Sequence, residues 1–154
     1  MKQKLIVGNW KMNGSLAANQ ALVQDVVAGM QGLSLRAAVC APAAYLAALQ
    51  VLLQGQTALS SGAQDLSMHE SGAFTGEISA AMLREFAVRY VIVGHSERRQ
   101  YHGETDAVVA VKAQRALAAG ITPIVCVGET LAQREAGETE LVVKRQLAAV
   151  IHTN

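Results

Sequence analysis

The chain has 154 residues, of which 51% are hydrophobic and 16% charged, so it is not an intrinsically disordered segment and is long enough for one domain with a real core. A net charge of +1 offers no electrostatic footprint for nucleic acid, and Arg98-Arg99 is a pair rather than a basic patch. No apolar run reaches membrane length and Leu5-Ile6-Val7 is too short for a signal segment, so a soluble cytoplasmic protein with no membrane or nucleic-acid partner is expected.

Lys4–Gly8 reads as a first strand, followed by the polar turn Asn9-Trp10-Lys11-Met12-Asn13-Gly14. Ser15 suits the cap of a helix from Leu16 to Met30, with Leu16, Val23, Val26, Val27 and Met30 on its apolar side. Arg36–Ala41 is a second strand, and Pro42 opens a helix running to about Leu53. Ala58–Ala63 is a weak third strand, placed chiefly by position. Gln64–Glu77 is a long polar loop that carries Met68 and Phe74, apolar groups wasted in water; loops of this length are usually functional or interfacial.

Ser79 caps a short helix over Ala80–Phe86, and Tyr90–Val93 is a fourth strand, β-branched and wholly apolar from Val91 onwards, as expected for burial on both faces. Gly94 ends it, His95 follows, and Ser96 and Glu97 fit a helix cap and first turn. Thr105 caps a helix over Asp106–Ala119, closed by Gly120. Ile121–Val127 is a fifth strand; Thr130 and Gln133 form a capping box; a last helix runs from about Thr139 to Ile151. Strand and helix thus alternate five times at a spacing of about 30 residues, the mark of parallel strands with right-handed crossovers. Cys40 and Cys126 each end an apolar run and read as buried reduced thiols.

A histidine at the C-terminal tip of a buried parallel strand lies on the rim where such folds bind ligands. A helix N-terminus disfavours a positive imidazole, so His95 should stay uncharged and donate a hydrogen bond. Side chains two apart on a strand share a face, which puts Asn9 and Lys11 with Leu5 and Val7, and His95 with Val91 and Val93. An amide, an ammonium and an imidazole converging there would suit a small anionic substrate in which a carbonyl oxygen gains charge.

Four motifs sharpen this reading. Asn9–Gly14 (NWKMNG), Gly72–Glu77 (GAFTGE), Val93–Arg99 (VGHSERR) and Cys126–Thr130 (CVGET) occur in order across essentially the whole chain and closely resemble the triosephosphate isomerase family. The resemblance implies an α/β fold, the parallel (β/α)8 TIM barrel, of which these residues supply the first five βα units as a single partial domain over residues 1–154. It implies interconversion of dihydroxyacetone phosphate and glyceraldehyde 3-phosphate, a small phosphorylated triose, with no cofactor and no metal. It makes His95 the catalytic electrophile and proton shuttle, and Lys11 a catalytic and substrate-binding cation. Asn9 becomes a substrate contact, Glu97 a buried acid behind Lys11 and His95, and Ser96 a support for the histidine. Gln64, Phe74 and above all Thr75 become parts of a loop that enters the partner subunit of a homodimer. Cys126 becomes a core cysteine.

The family barrel needs eight units and about 250 residues. These residues reach Asn154, after unit five, and carry no counterpart of the sixth-strand glutamate base, the mobile lid or the later phosphate loops. Glu129, Glu135, Glu138 and Glu140 lie on or beside late helices and are no substitute. Strands one and five are therefore expected to be edges, and the polypeptide alone to have negligible isomerase activity. The competing reading is a non-catalytic barrel fragment that associates through the Gln64–Glu77 loop. An open nucleotide-binding sheet is disfavoured, since strand one is not followed by Gly-x-Gly-x-x-Gly. His69, His102 and His152 read as surface residues, without metal-ligand spacing.

Overall fold

β-Branched and small apolar runs punctuated by capped helices fold into a strand–helix alternation, seen in a computed structural model that describes residues 2–153. β1 (Leu5–Asn9) leads through α1 (Leu16–Gly29) to β2 (Arg36–Ala41). A 3-10 turn (Ala43–Tyr45) and α2 (Leu46–Leu52) precede β3 (Leu59–Ala63). After the long loop come α3 (Ala80–Glu85), β4 (Tyr90–Val93), α4 (Ser96–Tyr101), α5 (Asp106–Ala118), β5 (Thr122–Val125), α6 (Leu131–Glu135) and α7 (Thr139–Thr153).

The helix starts follow their capping residues. The hydroxyls of Ser15, Ser79 and Thr105 accept the N–H of Ala18, Met82 and Val108, and Thr130 and Gln133 exchange both bonds of a capping box. As expected, a helical segment follows Pro42 and runs to Leu52; its first turn, Ala43–Tyr45, is 3-10, and the Tyr45 hydroxyl donates to the Gly14 carbonyl at 2.9 Å. Leu16, expected on the apolar side of α1, is 65% exposed; Val23 is the residue of that face that is buried.

All pairings are parallel and the strand order is β1-β2-β3-β4-β5, so the sheet is a curled half-barrel, the first five units of an incomplete (β/α)8 barrel. The pairing register sorts the two faces. Val39, Ala41, Leu59, Ala63, Val91 and Val93 point to the helices and form one core with Leu49, Leu83 and Val109. Asn9, Cys40, Gly62, Tyr90 and Thr122 lie side by side along a row of the concave face. A Cβ at Gly62 would stand 2.5 Å from Cys40 Sγ, so this row closes only with glycine on β3.

β1 and β5 each have one strand neighbour among the described residues. The apolar residues of β1 are exposed accordingly, with Ile6 at 55%. Pro123, which has no N–H to give a ladder, sits on the other edge strand.

Candidate active site

The turn after β1 and the turn after β4 meet on one rim, 86 residues apart in sequence. They line a cavity of about 720 Å³ together with Asn9, Lys11, Gln64, His95, Glu97 and Arg98.

The two turns reach that rim by different routes. Asn9 ends β1 on the concave face, as alternation from Leu5 and Val7 requires. His95 does not follow alternation. Val91 and Val93 face the helices, opposite to Asn9, so the expectation that His95 shares their face would have sent it into the helical layer. Gly94 corrects this with a φ of +69°, a left-handed turn that swings the next residue onto the rim. Glycine is required there twice over, since a Cβ would also lie 2.7 Å and 2.9 Å from the methyls of Val109.

Lys11 departs from extended geometry as well. Its φ is +51°, uncommon for a residue with a side chain. Its N–H donates to Asn9 Oδ1 at 2.9 Å, and its ammonium donates to Glu97 Oε1 at 2.7 Å. The hydrogen bond with Glu97, and then its charge, hold the Lys11 ammonium above the ordinary lysine range. The same hydrogen bond holds the Glu97 carboxyl below the usual carboxylate range. Glu97 is not the buried acid the resemblance implied: its side chain is 42% exposed, open to the cavity mouth.

His95, not Ser96, is the cap of α4. Its Nδ1 accepts the Glu97 N–H at 3.1 Å. That bond makes Nδ1 an acceptor, so the proton of the uncharged ring sits on Nε2, where it is available for donation. The 3.5 Å approach of Nδ1 to Glu97 Oε2 is therefore proximity rather than an ion pair. Among the described residues Ser96 Oγ makes no hydrogen bond to the ring; Ser96 is exposed on the first turn.

Several residues of the rim's support were not singled out in the sequence. Arg99 donates to the Gly94 carbonyl at 2.8 Å, to Asp106 Oδ1 at 2.6 Å and to the Cys126 carbonyl at 3.3 Å, binding the ends of β4 and β5 to α5. Burial alone would raise Asp106, but hydrogen bonds from Arg99 and Arg145 hold it below the ordinary range. Beneath the cavity, buried Lys112 donates to Asp65 at 2.7 Å and to Glu104 at 2.9 Å, and Arg98 reaches the same two carboxylates. Burial raises Asp65 despite these cations, whereas in Glu104 their hydrogen bonds outweigh burial and lower it. In the sequence Arg98 stood out only as half of the Arg98-Arg99 pair, and nothing local joined it to residues 65, 104 or 112.

The Gln64–Glu77 loop is tied back to the body by Lys112 to Asp65, by Arg115 to the Met68 carbonyl at 2.7 Å, and by its own Ser67–Glu77 bond at 2.8 Å. His69 and Phe74 stack in parallel with centroids 3.6 Å apart, and Phe74 and Thr75 are exposed. Gln64 points inward instead, to Asn9 and Lys11. Cys40 is free and buried, its thiol pushed up to about 12 by burial, with Cys126 adding to the shift; burial raises Cys126 too, partly offset by Arg99. Neither is a thiolate nucleophile near neutral pH. Among the described residues no group of three or more His, Cys, Asp or Glu is placed to hold a metal ion, and no helix is long and apolar enough to cross a membrane.

A half-barrel of parallel βα units with a histidine, a lysine and an asparagine on its C-terminal rim has the architecture of part of a (β/α)8 barrel, a fold whose sites lie at the strand ends. Comparison with known proteins narrows the class. The sequence model of the triosephosphate isomerase family matches residues 4–154, and the chain belongs to that family. It is 72% identical to the triosephosphate isomerase of Albidiferax ferrireducens over its whole length. It is 68% identical to that of Paracidovorax citrulli and 69% to that of Delftia acidovorans, each over 99% of this chain. It spans 62%, 62% and 61% of the length of these three relatives.

Proposed function

We propose that residues 1–154 are one domain carrying part of the site of a cytoplasmic triose-phosphate isomerase, which interconverts dihydroxyacetone phosphate and glyceraldehyde 3-phosphate without cofactor or metal. The observation that carries this is the meeting of two turns at one carboxylate: Lys11 Nζ and His95 Nδ1 lie 2.7 Å and 3.5 Å from the two oxygens of Glu97. Both groups therefore reach one three-carbon molecule. His95 Nε2–H donates to the substrate carbonyl oxygen and moves protons between the two substrate oxygens. Lys11 offsets the charge that builds on them, and the Asn9 amide, on the same concave face, contacts them.

The isomerisation also needs a base to take a carbon-bound proton. The acidic side chains around this cavity are poorly suited. Glu97 is held ionised by Lys11, Asp65 is bonded to Lys112 and Arg98, and Glu77 accepts from Ser67. A positioned general base contributes about 10²–10⁴ in rate, so this polypeptide alone should turn over at a small fraction of a complete site. Adding dihydroxyacetone phosphate should shift the ring resonances of His95 and the side-chain resonances of Lys11, with near-background rates in a coupled assay. Unchanged resonances at millimolar ligand would refute substrate binding, and full turnover would refute the missing base.

A second reading is favoured by the exposed Phe74 and Thr75: the Gln64–Glu77 loop contacts a second copy. Chromatography with Phe74→Asp should then release monomer. An elution unchanged by that substitution would remove the reading.

A further inference from the structure

Gln64 has the most unusual environment of any loop residue. Its Nε2 lies 2.8 Å from the Lys11 carbonyl, 3.1 Å from the Cys40 carbonyl and 3.3 Å from Asn9 Oδ1. An amide has two protons, so three acceptors share them, the shortest contact going to Lys11. Lys11 is also the residue with a side chain on this rim whose backbone is held in the left-handed region, a conformation that relaxes unless its surroundings fix it. The other clamp on it is its own N–H to Asn9 Oδ1, and that oxygen is itself held by Gln64.

The next residue secures the clamp. Asp65 is fixed by buried Lys112 at 2.7 Å and by Arg98 at 3.1 Å, and Arg98 stands on α4, the helix that His95 caps. The pair Gln64-Asp65 thus joins the β1 turn to the helix that carries His95 and Glu97.

We propose that Gln64 is a positioning residue of this site: its amide holds the Asn9–Lys11 turn left-handed and so aims the Lys11 ammonium at Glu97 beside His95. This rests on the rim site of the proposed function but assigns Gln64 a role within its own chain, not in a partner contact. A carbonyl-only side chain at this place would face three acceptors with no proton to give.

The test is NMR of the intact chain, reading the backbone 13Cα and amide shifts of Lys11 and the titration of its side chain. In Gln64→Ala the left-handed signature of Lys11 should be lost and its titration should fall toward the ordinary lysine value, while Lys112 keeps its resonances as a control on the fold. In Gln64→Glu the Lys11 backbone shifts should be native-like at low pH, where the carboxyl carries a proton to donate, and depart as it ionises. A native Lys11 in Gln64→Ala overturns the proposal. So does a Gln64→Glu chain with no recovery on acidification, which also decides the matter if Gln64→Ala fails to fold. None of these readouts needs turnover. A failure of triose-phosphate binding therefore leaves this result standing, and the reverse also holds.

Discussion

Gly94→Ala tests backbone geometry and packing together at the point where the strand face and the site face diverge. An alanine at φ +69° meets the left-handed penalty of about 1–2 kcal/mol. Its methyl would stand 2.7 Å and 2.9 Å from Val109 Cγ1 and Cγ2, and 3.0 Å from an Arg99 nitrogen. The arginine end has freedom to move, but Val109 is fully buried on α5 and does not, so overpacking adds about 1–3 kcal/mol. The sum, about 2–5 kcal/mol, is a large share of the 5–15 kcal/mol of a typical domain. At about 2–4 °C per kcal/mol for a chain of this size, the midpoint should drop by about 4–20 °C in a thermal melt followed by circular dichroism. Val109→Ala in the same chain should return the steric part, with a coupling of about 1–3 kcal/mol, and leave the backbone part in place. A Gly94→Ala chain within about 0.5 kcal/mol of its parent, or a double variant with purely additive losses, would refute the account of both His95 and its turn.

Three further outcomes follow from the buried and ion-paired groups. Lys112→Met leaves Asp65 and Glu104 to Arg98 alone and should cost about 1–3 kcal/mol in urea unfolding; a loss under about 0.5 kcal/mol would show the lysine to be dispensable. Asp106 titrates below its unfolded value, so its contribution is present above about pH 4 and lost as pH falls through the folded value; Glu104 acts in the same direction and Asp65, raised, acts against them. Asp106→Asn should therefore flatten the acid limb of a stability–pH curve, and an unaltered limb would contradict the Arg99–Asp106–Arg145 pairing. Cys40, raised to about 12 and shielded, should react with maleimide at pH 8 only as fast as the chain opens, well behind Cys126; equal rates for the two thiols would overturn their assigned burial.

Elements set by local chemistry were legible in the sequence, and elements set by what lies alongside were not. Four N-caps and the capping box act within four residues of themselves, and each begins its helix where the residue type indicates. The extent of the Pro42 helix, to about Leu53, was legible as well, whereas the 3-10 winding of its first turn left no mark in the sequence. Period-two alternation located Asn9 correctly and failed for His95, because one left-handed residue inverts the face of everything after it. Glu97 was expected to be buried from its place in a motif, yet exposure depends on the cavity mouth, which no local pattern encodes. Gln64 was assigned to a partner-facing loop by its position there, while its amide turns to three acceptors that only the β1–β2–β3 pairing brings together.

The edge strand β1 yields a last expectation about the whole chain. Leu5, Ile6 and Val7 are 38%, 55% and 36% exposed, and one side of the strand offers unpaired backbone groups. A β-branched edge without a charge or a bulge is a template for another strand, and a second copy of this chain carries the same template. Association should therefore rise with concentration, read as an increase in apparent mass by light scattering. Ile6→Lys places a charge at the most exposed of the three positions while leaving the Asn9 face untouched, because residue 6 and residue 9 lie on opposite sides of the strand. That variant should show no growth in mass beyond a pair joined through the Gln64–Glu77 loop at concentrations where the parent grows further, and its Lys11 and His95 resonances should match the parent's. A parent chain whose mass does not rise with concentration, or an Ile6→Lys chain whose mass rises equally, would show that the open edge does not drive association.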